Sequence, residues 1–96
     1  GEIDILARAP DKQTIVIVEV KTREPLPGQP RPERQVDQVK LRKLVVMLDH
    51  LSRANAWYDR PRRIDVIGID WPQGGQPVLR HHQGVYVAPL AKRKTH

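Results

Sequence analysis

The chain has 96 residues, with 17 Lys and Arg against 11 Asp and Glu for a formal charge of +6, no Cys and no Phe. That length supports one domain with a single core, and the core must be aliphatic because Trp57, Tyr58, Trp71 and Tyr86 are the only aromatic residues. Disulfides and Cys-based zinc sites are excluded, which suits a reducing cytoplasm, and no apolar run approaches the roughly 20 residues that span a bilayer.

The predicted elements follow in chain order. "GEIDILAR" (1–8) alternates as a strand, with Ile3, Ile5 and Ala7 on one face and Glu2, Asp4 and Leu6 on the other. Because the chain opens inside this strand, we expect the true start to lie upstream. "APDKQ" (9–13) is a turn, and Thr14 to Thr22 forms a second strand that pairs with the first as an antiparallel hairpin. "REPLPGQPRPER" (23–34) holds four prolines and cannot be regular; a connection this long marks a functional or mobile segment. From about Asp37 to Asn55 the period becomes helical. Leu41, Leu44, Met47, Leu48 and Leu51 share one arc, and Arg42, Lys43, Asp49, His50 and Arg53 lie opposite. Lys40 falls inside the apolar arc, either snorkelling past the sheet edge or facing a negative group. "RRIDVIGID" (62–70) is a third strand, "WPQGGQP" (71–77) a turn, and "VLRHHQGVYV" (78–87) a fourth strand broken near Gly84. The order ββαββ implies a mixed α/β layout with one helix on a small sheet. Residues 1–88 are expected to form the domain and 89–96 a flexible basic tail.

Charge sits where it is costly. In "IVIVEVKT" (15–22), period two puts Ile15, Ile17, Glu19 and Lys21 on one face and Val16, Val18 and Val20 on the other. Asp4, in the partner strand, reaches the same zone if the hairpin register is right. Two carboxylates held close repel unless a cation sits between them. Mg²⁺ accepts one or two carboxylates and keeps several waters, and an adjacent ammonium can then orient a water and stabilise charge on a phosphate. Hydrolysis of a phosphodiester needs that combination. Glu-x-Lys by itself arises about once in 300 positions at ordinary composition, so the residues alone leave an ordinary cross-strand ion pair equally open.

An Asp on one strand followed by Glu-x-Lys on the next resembles the PD-(D/E)XK nuclease superfamily. "GEIDILAR…IVIVEVKTR…IDV" is similar to its YraN-like proteins, small bacterial proteins likened to archaeal Holliday-junction resolvases, over Gly1 to about His82. The resemblance implies a restriction-endonuclease-like fold and a Mg²⁺- or Mn²⁺-dependent endonuclease acting on DNA, perhaps branched, as a cytoplasmic enzyme without membrane association and as a possible homodimer. It makes Asp4 and Glu19 the metal carboxylates, the carbonyl of Val20 a further ligand, and Lys21 the group that orients the attacking water. It also places Lys40 at the active-site edge and Glu2 as an additional acid or supporting residue, against a surface ion pair. The family's initial helix, with a further acid, is absent from this chain, which would leave one sheet face partly uncovered. A catalytically silent nucleic-acid-binding or interaction module with the same fold is the alternative, and a structural adaptor a third.

Some residues read as structural. Asp65 is expected to pair with Arg63 rather than serve as a third metal acid. His81 and His82 point to opposite faces, so they cannot chelate one ion together. Trp57 and Tyr58 could stack on an unpaired base, but closing the edge of the core suits them better.

Overall fold

A computed structural model describes residues 3–24 and 38–90. Its elements are β1 (Ile5–Arg8), β2 (Ile15–Arg23), α1 (Gln38–Asn55), β3 (Arg62–Asp70) and β4 (Val78–Val87). The predicted order holds, and the third and fourth strands begin and end where expected. Arg23, expected to open the irregular proline-rich segment, instead ends β2; residues 25–34 of that segment, Glu2 and residues 91–96 of the expected tail lie outside the described residues.

The four strands form one sheet in the order β1-β2-β3-β4. β1 and β2 are antiparallel, as are β3 and β4, while β2 and β3 run parallel. Parallel neighbours need a long crossover, and α1 lies within it. Lys40 meets Glu19 late in β2 and Ser52 meets Arg62 at the start of β3, so α1 runs back antiparallel to both strands.

The first turn is built by Asp11. Its carboxylate accepts from the N–H groups of Gln13 and Thr14 at 2.8 Å and from the Thr14 hydroxyl at 2.6 Å. Those bonds, the Thr14 hydroxyl first, hold the Asp11 carboxyl down at about 2. Lys12 takes a φ of 64° to complete the turn.

The core lies between α1 and one face of the sheet. Ile17, Leu44, Leu48, Ile64 and Ala88 are its buried cluster. Leu41 and Met47 from the predicted apolar arc flank it half-buried, and Ser52, absent from that arc, is fully buried. Ser52 is accommodated because its hydroxyl donates to the Leu48 carbonyl at 2.6 Å and accepts from Arg62 at 3.0 Å. Arg62 is itself buried. It donates further to the carbonyls of Pro89 and Arg60 and lies 5.5 Å from the centre of the Tyr58 ring. Tyr58 therefore closes this end of the core. Past the helix, Ala56 adopts a φ of 57° so that the Trp57 N–H can close onto the Ser52 carbonyl at 2.9 Å.

The expected alternation through 1–8 fails at Asp4. Asp4 forms a bend before β1, so Ile3 packs toward the α1 side while Ile5 pairs with Val18 on the other face. The cause is the Asp4 carboxylate, which accepts from the Val20 N–H at 2.9 Å, in the position a ladder carbonyl would take.

The other face of the sheet holds Asp65, 1% exposed. Arg63 donates to it at 2.9 Å as expected, joined by His81 Nε2 at 2.8 Å and the Gly84 N–H at 2.9 Å. Gly84 has a φ of 67°, and the β3–β4 register shifts between Ile64 and Val66. The break near Gly84 is therefore a bulge wrapped around a buried carboxylate.

Candidate active site at the end of the second strand

Glu19 is the second buried carboxylate, 5% exposed, and it faces α1. Its backbone neighbours in the sheet are Val66 on β3 and, beyond that, His82 on β4. Lys21 Nζ lies 3.4 Å from Glu19 Oε1, and Lys40 Nζ approaches the same oxygen at 3.9 Å from the first turn of the helix. The Lys40 position inside the apolar arc is thus explained by a negative partner. Glu19 Oε2 is buried and has no hydrogen-bond partner. An unpaired buried oxygen of a charged group costs upward of about 1–3 kcal/mol, so this atom is held ready for something.

Asp4 adjoins the same point from the bend before β1. Its carboxylate bonds the amide that directly follows Glu19, so β1 and β2 bring the two acids to one end of the hairpin. The Val20 carbonyl leaves the strand on the same edge as its N–H, past the last β1–β2 pair at Ile5 and Val18. The expected residues Asp4, Glu19, Val20, Lys21 and Lys40 therefore fall at one end of β2; Glu2 lies outside the described residues. Among the described residues, no group of three His, Cys, Asp or Glu side chains gathers closely enough to hold a metal ion.

The donor set suits a hard divalent ion all the same. Two carboxylates and a carbonyl are what Mg²⁺ takes from a protein when waters and substrate complete its shell. The bare Glu19 Oε2 is the observation in favour, and the Asp4 oxygen already bound to Val20 leaves its partner oxygen as the donor.

Sequence reasoning missed a neighbouring cluster. Asp70, on β3, contacts Arg80 from β4 at 3.1 Å and Arg23 from β2 at 3.5 Å. Period two in β2 places Arg23 on the face of Lys21 and could have flagged it; Arg80 needed the strand register.

A mixed α/β sheet with an acid-and-ammonium cluster at the end of a buried strand is the class this chain defines. More particularly, the chain belongs to the uncharacterised protein family UPF0102, whose model matches residues 1–69, and the YraN-like resemblance falls within that family. It is 42% identical over 77 residues to a UPF0102 protein of Clavibacter michiganensis, covering 80% of this chain and 63% of that relative. A Pelobacter propionicus relative is 42% identical over 82 residues, covering 84% and 57%. One from Streptomyces griseus is 41% identical over 93 residues, covering 88% and 70%. The chain thus spans 57% to 70% of the length of these three relatives. No solved structure matches it, and no helix among the described residues is long and apolar enough to cross a membrane.

Proposed function

We propose that this chain carries the catalytic centre of a cytoplasmic, divalent-metal-dependent endonuclease of the restriction-endonuclease-like class, hydrolysing phosphodiester bonds in DNA and acting on branched DNA as a two-fold dimer. The observation that carries the reading is the buried, unpartnered Glu19 Oε2 beside two ammonium groups. Asp4, Glu19 and the Val20 carbonyl would hold Mg²⁺ or Mn²⁺. The bound ion supplies Lewis-acid polarisation of the phosphoryl oxygen and makes water a nucleophile near neutral pH.

The chain's own residues do the rest. Lys21 orients the attacking water and then places its positive charge beside the phosphate oxygens as negative charge grows there. Lys40 bounds the site on the helix side and attracts the same phosphate. Ile17, buried on the same face of β2 as Glu19, keeps solvent away and strengthens these interactions. The formal charge of +6 supports a polyanionic substrate.

The test is cleavage of plasmid and branched oligonucleotide DNA with Mg²⁺ or Mn²⁺. Glu19→Gln and Lys21→Ala should each lower the rate by about 10²-fold or more. Equal residual cleavage in both variants would mean a contaminating nuclease and would end the proposal. A second reading is a binding module without turnover, which the formal charge of +6 supports equally. That module would bind DNA in a salt-sensitive manner, unchanged by Glu19→Gln and indifferent to metal.

A further inference from the structure

We propose that Arg23, Asp70 and Arg80 form a second phosphate subsite, which grips the DNA strand beside the phosphate held at Glu19 and Lys21. The inference rests on the nuclease reading above and extends it to the way the substrate is held.

The register carries it. Across the helix-side face, the strands place residues in rungs: Glu19, Val66 and His82; then Lys21, Gly68 and Arg80; then Arg23, Asp70 and Val78. The Lys21 rung has a cation at each end and a glycine between them. Lys21 and Arg80 are two strand spacings apart, about 10 Å, too far for both to hold one phosphate. The Arg80 guanidinium lies 3.1 Å from Asp70, one rung further out, where Arg23 converges from the other side. The two guanidiniums therefore address a different phosphate from the one at Lys21.

Asp70 acts here as a brace. Its carboxylate pairs with Arg80 at 3.1 Å and attracts Arg23 Nε at 3.5 Å without a hydrogen bond, and one carboxylate between two guanidiniums leaves the group with net positive charge. Arg23, Asp70 and Arg80 are each less than one-fifth exposed, so the three are held in place before a ligand arrives and lose little freedom on binding one. A polynucleotide also needs such a subsite: Asp4 and Glu19 repel its backbone, and extra cations along the same face offset that. The bland alternative is a clasp that only ties together the ends of β2, β3 and β4. The two roles predict opposite effects when Asp70 is neutralised.

The experiment measures anisotropy of a labelled branched oligonucleotide with the Glu19→Gln protein, which binds without turnover, between about 50 and 200 mM salt. Adding Arg80→Gln should weaken binding about 5–10-fold and flatten the slope of log K against log salt by about 0.7–0.9, the value of one phosphate. Adding Asp70→Asn should tighten binding and steepen the slope, even though it removes an ion pair. If Arg80→Gln fails to fold, Asp70→Asn decides alone. An unchanged affinity and slope in both variants overturns the subsite while leaving the Glu19 centre standing. If the parent protein neither binds DNA nor, with Glu19 intact, cleaves it, both readings fall together.

Discussion

Replacing Asp65 with Asn separates fold from chemistry. Asp65 Oδ1 accepts from Arg63 Nε and the Gly84 N–H, both at 2.9 Å, and an Asn oxygen can keep those two bonds. Oδ2 accepts from His81 Nε2 at 2.8 Å and from a second Arg63 nitrogen at 3.3 Å, and an Asn amide there opposes donor with donor. His81 can recover by changing tautomer. Arg63 cannot, and a hydrogen bond to a charged partner contributes about 1.5–3 kcal/mol. Since the Arg63 side chain is 23% exposed, part of its charge finds water, and we expect a loss of about 2 kcal/mol. For a domain of this size that lowers Tm by roughly 8–16 °C. The pH dependence gives a second reading. Burial pushes the Asp65 carboxyl up, but bonds from Arg63, Gly84 and His81 outweigh it and hold it below the ordinary 3.8. The contribution is therefore complete above that value and is lost as pH falls through the lower folded pKa. Urea unfolding at neutral pH and at points below about pH 4 should show a less stable variant with a shallower acid limb. Metal-dependent cleavage should remain, because Asp65 lies on the opposite face from Glu19. A folded but inactive variant would refute the structural assignment, and unchanged stability would refute the energetic one.

Two other outcomes follow from the same structure. Mn²⁺ at about 100 times its Kd should stabilise the protein by about 2.7 kcal/mol, a rise in Tm of roughly 10–20 °C by thermal unfolding that vanishes in Glu19→Gln; equal shifts in both proteins would place the ion elsewhere. Ala56→Gly should raise stability by about 1 kcal/mol, read from urea unfolding, because the φ of 57° there burdens a residue with a Cβ; no gain would mean that the helix end relaxes without strain.

Much of this geometry is written in the sequence at short range. Period two within β2 is enough to place Glu19 beside Lys21, and the helical period puts Lys40 on the arc that faces them. Arg63 and Asp65 share a face for the same reason. Longer-range features were hidden because they depend on which strands adjoin. Arg80 joins Arg23 only through the rungs that β3 supplies between them. The part played by Asp4 was hidden for a different reason. Alternation assumes that side chains stand out from the sheet, yet the Asp4 carboxylate occupies the ladder itself and turns the chain. Ala56 was equally silent, since left-handed helix ends are ordinarily marked by Gly or Asn.

Among the described residues the sheet buries Asp65 on one face and Glu19 on the other, and the contrast between them supports the proposed centre. Asp65 is saturated: a guanidinium, an imidazole and a backbone amide converge on its two oxygens, so nothing further is needed to offset its removal from water. Glu19 is comparably buried but incomplete, with both ammonium groups directed at one oxygen and the other left bare. A carboxylate buried only to stabilise the fold would be expected to look like Asp65, because an unpartnered buried oxygen is a net cost to folding. Asp70 Oδ1 is also buried without a hydrogen bond, but Arg23 Nε faces it at 3.5 Å, whereas the ammonium groups beside Glu19 are directed at Oε1 and not at Oε2. Glu19 Oε2 therefore has room for a further positive partner, and Asp4, bonded to the amide that follows Glu19, lies at the same end of the strand. On the proposed reading a bound divalent ion would recover the stability forgone at Glu19, so thermal unfolding with Mn²⁺ tests the centre independently of any cleavage assay.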